Sequence, residues 1–130
     1  MITDEKITSV GIGAFSGNAN ITSVSIPSVT KVSDYAFAYS ENLAKIELGA
    51  LTKIGDYAFY RTKVSAVPSL DGVSRIGSYA FAICGNLQYI YLPSSLELVK
   101  DDAFINTSAV VYFAGNIADW CKISFHNERS

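Results

Sequence analysis

Apolar residues return along this chain at an interval of about 22 residues, a period far longer than that of a helix or strand and suited to a stacked coil. Five Ala-Phe pairs mark it, ending in Phe15, Phe37, Phe59, Phe81 and Phe104, spaced by 22, 22, 22 and 23 residues. Other apolar columns keep step with them. Eight residues before each Phe stand Ile7, Val29, Leu51, Val73 and Leu96, and five before it Val10, Val32, Ile54, Ile76 and Val99. Six after it come Ile21, Leu43, Leu87 and Val110, then Val24, Ile46, Ile90 and Phe113 at nine, and Ile26, Leu48, Leu70 and Leu92 at eleven. The third repeat slips by one residue, offering Val64 and Val67, and is back in step at Leu70. Side chains that recur in this way pack on the same column above and below, so the coils must fold together.

Segments such as Leu43–Leu48 and Leu87–Leu92 alternate apolar and polar residues and predict short strands, closed by Pro27 and Pro93 or broken by Gly49 and Gly115. Stacked at ~4.8 Å, they predict one parallel sheet. The Ala-Phe stretch predicts a helical turn. Asp34, Asp56, Ser78 and Asp101 each stand two residues before the Ala, where an N-cap would be, and Gly11, Gly55 and Gly77 suggest a tight bend beside them. The expected fold is a solenoid: a right-handed, leucine-rich-repeat-like coil stack with a parallel β-sheet on the concave face and short helical turns or irregular structure opposite. It forms a single domain, residues 1–130, with about five repeats of 22–23 residues over 1–115 and a closing cap over 116–130.

At this point a family is recognisable. The run Ile-Gly-x-Tyr-Ala-Phe-x-x-Cys-x-x-Leu-x-x-Ile-x-Leu-Pro from Ile76 through Cys84 to Pro93 resembles the BspA-type bacterial leucine-rich repeat, and Val32–Leu48 and Val10–Pro27 fit it with Ser40 and Asn18 at the Cys position. The tail, with Val111-Tyr112-Phe113-Ala114-Gly115-Asn116 and Trp120-Cys121-Lys122-Ile123, is similar to an ending common in that family. The resemblance implies a binding scaffold exposed on a cell surface, with adhesion or host-protein binding, and it carries no catalytic set. Secreted or surface localisation rests on the resemblance alone, since Met1–Lys6 has no signal-peptide character and no run approaches transmembrane length.

Composition narrows the classes. Apolar residues make up 49% and charged ones 17%, which belongs to a folded domain. Net charge is -2, and the ten basic residues are scattered from Lys6 to Arg129 without a stripe, which argues against nucleic acid and an anionic membrane as primary partners; with no run of transmembrane length, membrane insertion is not expected either. Cys84 and Cys121 lack metal-ligand spacing; Cys84 sits in a core column with Asn18, Ser40, Thr62 and Thr107, and a Cys84–Cys121 bond remains open. The single histidine, His126, stands in the tail, so no nucleophile has a base within the repeats, and an enzyme is not expected. Stacked Asp34 and Asp56, with Asp101 and Asp102, suggest calcium, but capping accounts for the same positions, and no cofactor or metal is expected.

Binding residues follow from which strand positions face outward. One line runs Ser23, Lys45, Tyr89, Tyr112 and the other Ser25, Glu47, Tyr91, Ala114, with Ala66 and Pro68 in the slipped repeat. Tyr89, Tyr91 and Tyr112 offer a compact surface with hydroxyl tips, with Lys45 and Glu47 at its rim. They fit a protein or glycan contact, and equally a structural cover for the sheet. A second column, Tyr35, Tyr57 and Tyr79, reads as packing. The function expected is a non-catalytic binding module; a spacer in a longer surface protein and an intracellular scaffold are the alternatives. An uncapped first strand near Asp4–Lys6 invites weak self-association, and Trp120 with Ile123 is expected to close the other end.

Overall fold

The computed structural model describes residues 2–67 and 69–125, and the alternating segments do form strands. In chain order they are β1 (Ile2–Thr3), β2 (Ser9–Val10), β3 (Ser23–Ile26), β4 (Lys31–Val32), β5 (Lys45–Leu48), β6 (Lys53–Ile54), β7 (Arg75–Ile76), β8 (Tyr89–Leu92), β9 (Leu98–Val99), β10 (Val110–Phe113) and β11 (Ser124–Phe125), with one short helix, α1 (Ile117–Cys121), before the last. Every pairing is parallel, as coils wound in one sense require. The chain is a β-solenoid. The two-residue strands other than β1 form an unbroken ribbon in the order β11-β9-β7-β6-β4-β2.

The columns found in the sequence are the core. Val10, Val32, Ile54, Ile76 and Val99 on the ribbon are all buried, as are Val29, Leu51, Val73 and Leu96. Phe37, Phe59 and Phe81 are fully enclosed, and the five phenylalanine rings stack almost parallel with centroids 5.2, 5.3, 5.2 and 5.7 Å apart. Rings held one coil apart in this way overlap with an offset, the arrangement aromatic quadrupoles favour.

The Ala-Phe segments are not helical turns. Each is a chain of β-turns: Ser33 accepts from the amide of Ala36, Tyr35 from Ala38 and Phe37 from Ser40, and the next coils repeat the scheme. Tyr35, Tyr57, Tyr79 and Asp102 take φ of 59°, 59°, 57° and 52°, and Tyr39, Arg61, Ile83 and Asn106 take 61°, 59°, 54° and 56°. Gly13 and Gly17 occupy the same two places in the first coil. A left-handed residue on either side of each Phe turns alternate amides toward the next coil. Gly13, Phe15 and Gly17 donate to Asp34, Ala36 and Ala38, and three such bonds recur at each of four junctions, between 2.7 and 3.1 Å. An α-helix would close these amides on itself and leave the coils unlinked there.

The proposed N-cap carboxylates act between coils instead. Asp34 accepts from the amide of Asp56 at 2.8 Å, and Asp56 from that of Ser78 at 2.9 Å. This geometry also explains the glycines. A Cβ on Gly55 would lie 2.5 Å from the Asp34 nitrogen, and one on Gly77 2.5 Å from both Asp56 nitrogen and Gly55 carbon, so close approach and not a left-handed bend requires them.

Two further expectations change. The sheet is not continuous: β1, β3 and β5 form one piece and β8 and β10 another, with no strand between them among the described residues of the third repeat. Val64 and Leu70 are still buried there, so the slip keeps the core and loses the ladder. Without a neighbour on that side, Ile46 and Leu48 are only partly buried, whereas Ile90 and Leu92 are 1% and 2% exposed. The last strand is also shifted. Tyr112 pairs with Tyr91 and Val110 with Tyr89, because the link from Phe104 to its strand is two residues shorter than in the coil before.

Truncating the central ring should be far costlier than truncating the first. Phe59→Ala is expected to lose ~3–5 kcal/mol in denaturant unfolding, and Phe15→Ala, with a ring on one side only, less than ~2 kcal/mol. Equal losses would contradict a column stabilised by stacking from both sides.

Gly77→Ala should cost about 2–3 kcal/mol, since its Cβ meets backbone that cannot swing away. Gly85→Ala, where a Cβ would meet nothing within 4 Å, should stay within about 0.5 kcal/mol. Thermal melts of the two variants check the contrast.

Candidate functional site

Strands β8 and β10 place three tyrosines on one outward face. The alternation Tyr89-Ile90-Tyr91-Leu92 buries Ile90 and Leu92 and leaves Tyr89 41% and Tyr91 62% exposed. The shifted register sets Tyr112, 50% exposed, beside Tyr91, their rings stacked at 5.0 Å and 20°. Tyr89 meets Tyr91 edge-on at 5.4 Å. The three therefore form one continuous aromatic surface, more compact than two separate lines would have made. Val110 and Val111, 56% and 46% exposed, extend it along β10.

The sheet break adds a feature that the apolar columns alone did not reveal. Where the third strand is missing, Val67, Ser69, Leu70 and Asp71 meet Tyr89, Ile90 and Tyr91 around a pocket of about 290 Å³. The slip between Val64 and Leu70 was the visible trace of it. Pro68 lies outside the described residues. Lys45 and Glu47 stand on β5, across the break, and β5 pairs only with β3. Glu47 accepts a 3.0 Å hydrogen bond from the Ser25 hydroxyl. The structure thus joins the tyrosines and keeps the two charged residues on the neighbouring piece of sheet.

The other sequence candidates have structural partners. Tyr35, Tyr57 and Tyr79 stack at 4.7 and 4.9 Å along the turns, with Tyr39 and Tyr60 edge-on to the ladder. Cys84 and Thr107 do more than fill a core column. Like Ser40, each reaches back to a Phe carbonyl of the preceding coil: Ser40 to Phe15 at 2.6 Å, Cys84 to Phe59 at 3.2 Å and Thr107 to Phe81 at 2.7 Å. Burial pushes the Cys84 thiol above its ordinary value, partly offset by hydrogen bonds with Thr62. Cys84 is buried, Cys121 is exposed, and both are free thiols.

At the C-terminal end, Asn116 caps α1 by accepting from the Asp119 amide, and the Asp119 carboxylate answers from the other side. Ile123 enters the core at 6% exposure, and β11 continues the ribbon beside β9. Trp120 packs edge-on to Phe113 at 5.2 Å but stays 39% exposed, so Ile123 rather than the indole is the residue enclosed there. His126 lies outside the described residues. Among those described, no group of three His, Cys, Asp or Glu side chains could hold a metal ion, and no helix is long and apolar enough to cross a membrane.

One sequence reading is overturned by the register. The basic residues do form a stripe: Lys31 pairs with Lys53, and Lys53 with Arg75, on successive strands of the ribbon. They stand 22 residues apart, one place before the buried column Val32, Ile54 and Ile76, so linear scatter concealed them.

A family model described as BspA type leucine rich repeat region matches residues 3–130 in six copies. Among solved structures, the chain is similar to a leucine-rich repeat protein from Bacteroides ovatus, with 20% identity and a TM-score of 0.54 over 93% of this chain and 41% of that one. It is also similar to a leucine rich cell surface protein from Faecalibacterium prausnitzii, with 18% identity and a TM-score of 0.51 over 94% and 44%. The chain thus spans less than half of either neighbour, and at these identities the likeness shows the fold. No curated protein matches the chain.

The tyrosine ladder on the turns sets a pH response. Burial first, and then the phenols of Tyr35, Tyr79, Tyr60 and Tyr39, hold the Tyr57 hydroxyl above its ordinary value of 10.0. The folded state therefore favours the neutral ring; its contribution is full below pH 10 and is lost as pH rises through the folded value. Tyr57→Phe should flatten this alkaline loss in denaturant midpoints measured between pH 8 and 12. An unchanged profile would remove Tyr57 as the group responsible.

Proposed function

The chain belongs to the BspA-type leucine-rich repeat family, and on that premise we propose that it is a non-catalytic binding module, holding a protein or glycan ligand on the Tyr89, Tyr91 and Tyr112 face at a cell surface. The observation that carries this reading is the aromatic surface beside the sheet break. Three exposed rings in mutual contact, next to a pocket edged by Ser69 and Asp71, combine a rigid apolar contact area with polar groups at its margin. Such an arrangement suits recognition, since tyrosines lose little side-chain freedom on binding and keep a hydroxyl for direction. The surface setting is supported by the Faecalibacterium neighbour, itself a cell surface protein. Lys45 and Glu47 lie on the adjoining piece of sheet, where a ligand wide enough to cross the break would meet them.

The test is a screen of extracellular host proteins and glycans, followed by affinity measurement on variants. The double change Tyr89→Ala and Tyr91→Ala should weaken binding by at least about thirtyfold, roughly 2 kcal/mol, with little change in melting. Tyr39→Ala is the control, a ring of similar exposure (43%) on the turns. Loss with Tyr39→Ala and retention with the pair would place the contact surface elsewhere. If no ligand in the screen binds, the spacer function is the one supported.

A further inference from the structure

The ribbon carries a second surface that shares no residue with the tyrosine face or its pocket. Lys31, Lys53 and Arg75 are in-register neighbours on β4, β6 and β7, all three exposed. At one strand spacing of ~4.8 Å, they set three positive charges along about 10 Å. Like charges directly opposite on adjacent strands destabilise a sheet. The flanking rungs lack them, since Ser9 precedes Lys31 in the ladder and Leu98 follows Arg75. No acidic side chain lies within ion-pair distance of any of the three among the described residues. They edge an open groove of about 430 Å³ that also contains Lys100, so four of the ten basic residues of a chain of net charge -2 meet in one place.

The groove's two carboxylates, Asp34 and Asp56, offset only two of its four cations and are engaged away from the row. Asp34 and Asp56 each accept a backbone amide of the following coil, and Asp56 in addition takes Lys100 at 3.5 Å. What remains open toward solvent is the row Lys31, Lys53 and Arg75. We propose that this row is a binding site for a linear anionic polysaccharide, one bearing repeated sulfate or carboxylate groups along its length.

The lining favours this occupant over other polyanions. Among the described residues no aromatic ring borders the groove, so they offer nothing for nucleobases to stack on, as a single-stranded nucleic-acid site would. The ribbon's hydrogen-bonding edges along the row face neighbouring strands, so an acidic peptide cannot add itself as a further strand there. Val32, Ile54 and Ile76 are turned into the core, so the exposed apolar side chain of the lining is Ile12, at one end of the groove, and no row of apolar anchors runs along it for an extended peptide. Recognition chiefly by regularly spaced charge is what a charged polysaccharide supplies.

Immobilised heparin is the first probe, compared with uncharged dextran, polyglutamate and a thymidine oligonucleotide. The protein should bind heparin at about 20 mM salt, be released by about 0.3 M, and ignore dextran. The triple change Lys31→Gln, Lys53→Gln and Arg75→Gln should reduce affinity at least tenfold while raising the melting temperature by roughly 1–3 °C, as the mutual repulsion is removed. Lys53→Glu, which sets a carboxylate between two cations, should also lose binding and stay folded. Lys6→Gln with Lys63→Gln, both exposed and outside either surface, should bind as the parent does. The proposal is overturned if the parent fails to bind heparin, if the triple variant binds equally well, or if Lys6 and Lys63 matter as much. It is overturned too if polyglutamate or the oligonucleotide binds more tightly than heparin. None of these outcomes depends on Tyr89 or Tyr91, so the tyrosine face stands or falls separately.

Discussion

Each coil must pass its backbone hydrogen bonds to the next across one strand spacing, and the rest of this structure follows from that constraint. In a strand the requirement is met at no local cost, because extended backbone already points its amides sideways. At the Phe turns it is not. There the chain alternates right- and left-handed residues so that every second amide faces the neighbouring coil. A left-handed tyrosine or isoleucine costs about 1–2 kcal/mol, and the strain is sustained because three short inter-coil bonds and a stacked phenylalanine repeat at each junction. The same constraint draws in side chains. Ser40, Cys84 and Thr107 satisfy Phe carbonyls, and Asp34 and Asp56 satisfy amides that no carbonyl of the preceding coil reaches.

The columns were legible in the sequence because stacking demands a near-identical residue at each return. Val10 to Val99 on the ribbon and Phe37, Phe59 and Phe81 at the centre were all identifiable from period alone. The turns were less so. Ala, Tyr and Phe are acceptable in a helix, and an Asp placed before them imitates a cap, so local propensity pointed the wrong way. The decisive signal was present but divided between coils: Gly13 and Gly17 in the first, Asp102 and Asn106 in the last, at the two left-handed positions. Read down the columns rather than along the chain, these residues mark left-handed backbone. The strand register of the last coil was hidden for a different reason. The Phe column counts residues to the turn, whereas pairing depends on how many residues link turn to strand, and that link shortened by two after Phe104.

The interrupted sheet makes one stretch of the face unlike the rest. A solenoid whose repeats are identical presents a uniform face, with no position distinguished from its neighbours. Here the third coil keeps Val64 and Leu70 in the core but, among the described residues, adds no strand to this face, which divides between a small, polar N-terminal piece and an aromatic C-terminal one. The division produces both the pocket and the partly uncovered Ile46 and Leu48. Tyr112 stacks on Tyr91 rather than standing opposite Tyr89 because of the register shift at β10, so two departures from the repeat converge on one surface.

The basic row arises in the opposite way, from strict adherence to the period. Positions one residue before a buried column are free of packing demands, so nothing in the core selects Lys31, Lys53 and Arg75. Their neighbours in the same line, Ser9 and Leu98, show that an uncharged residue is accommodated there. A cation on each of three consecutive rungs opposes the fold slightly and, among the described residues, receives no acidic partner in return. Irregularity thus distinguishes the tyrosine face, and repetition distinguishes the ribbon. A stack of coils can carry two surfaces of different chemistry because each column of its repeat varies independently once the core columns are satisfied.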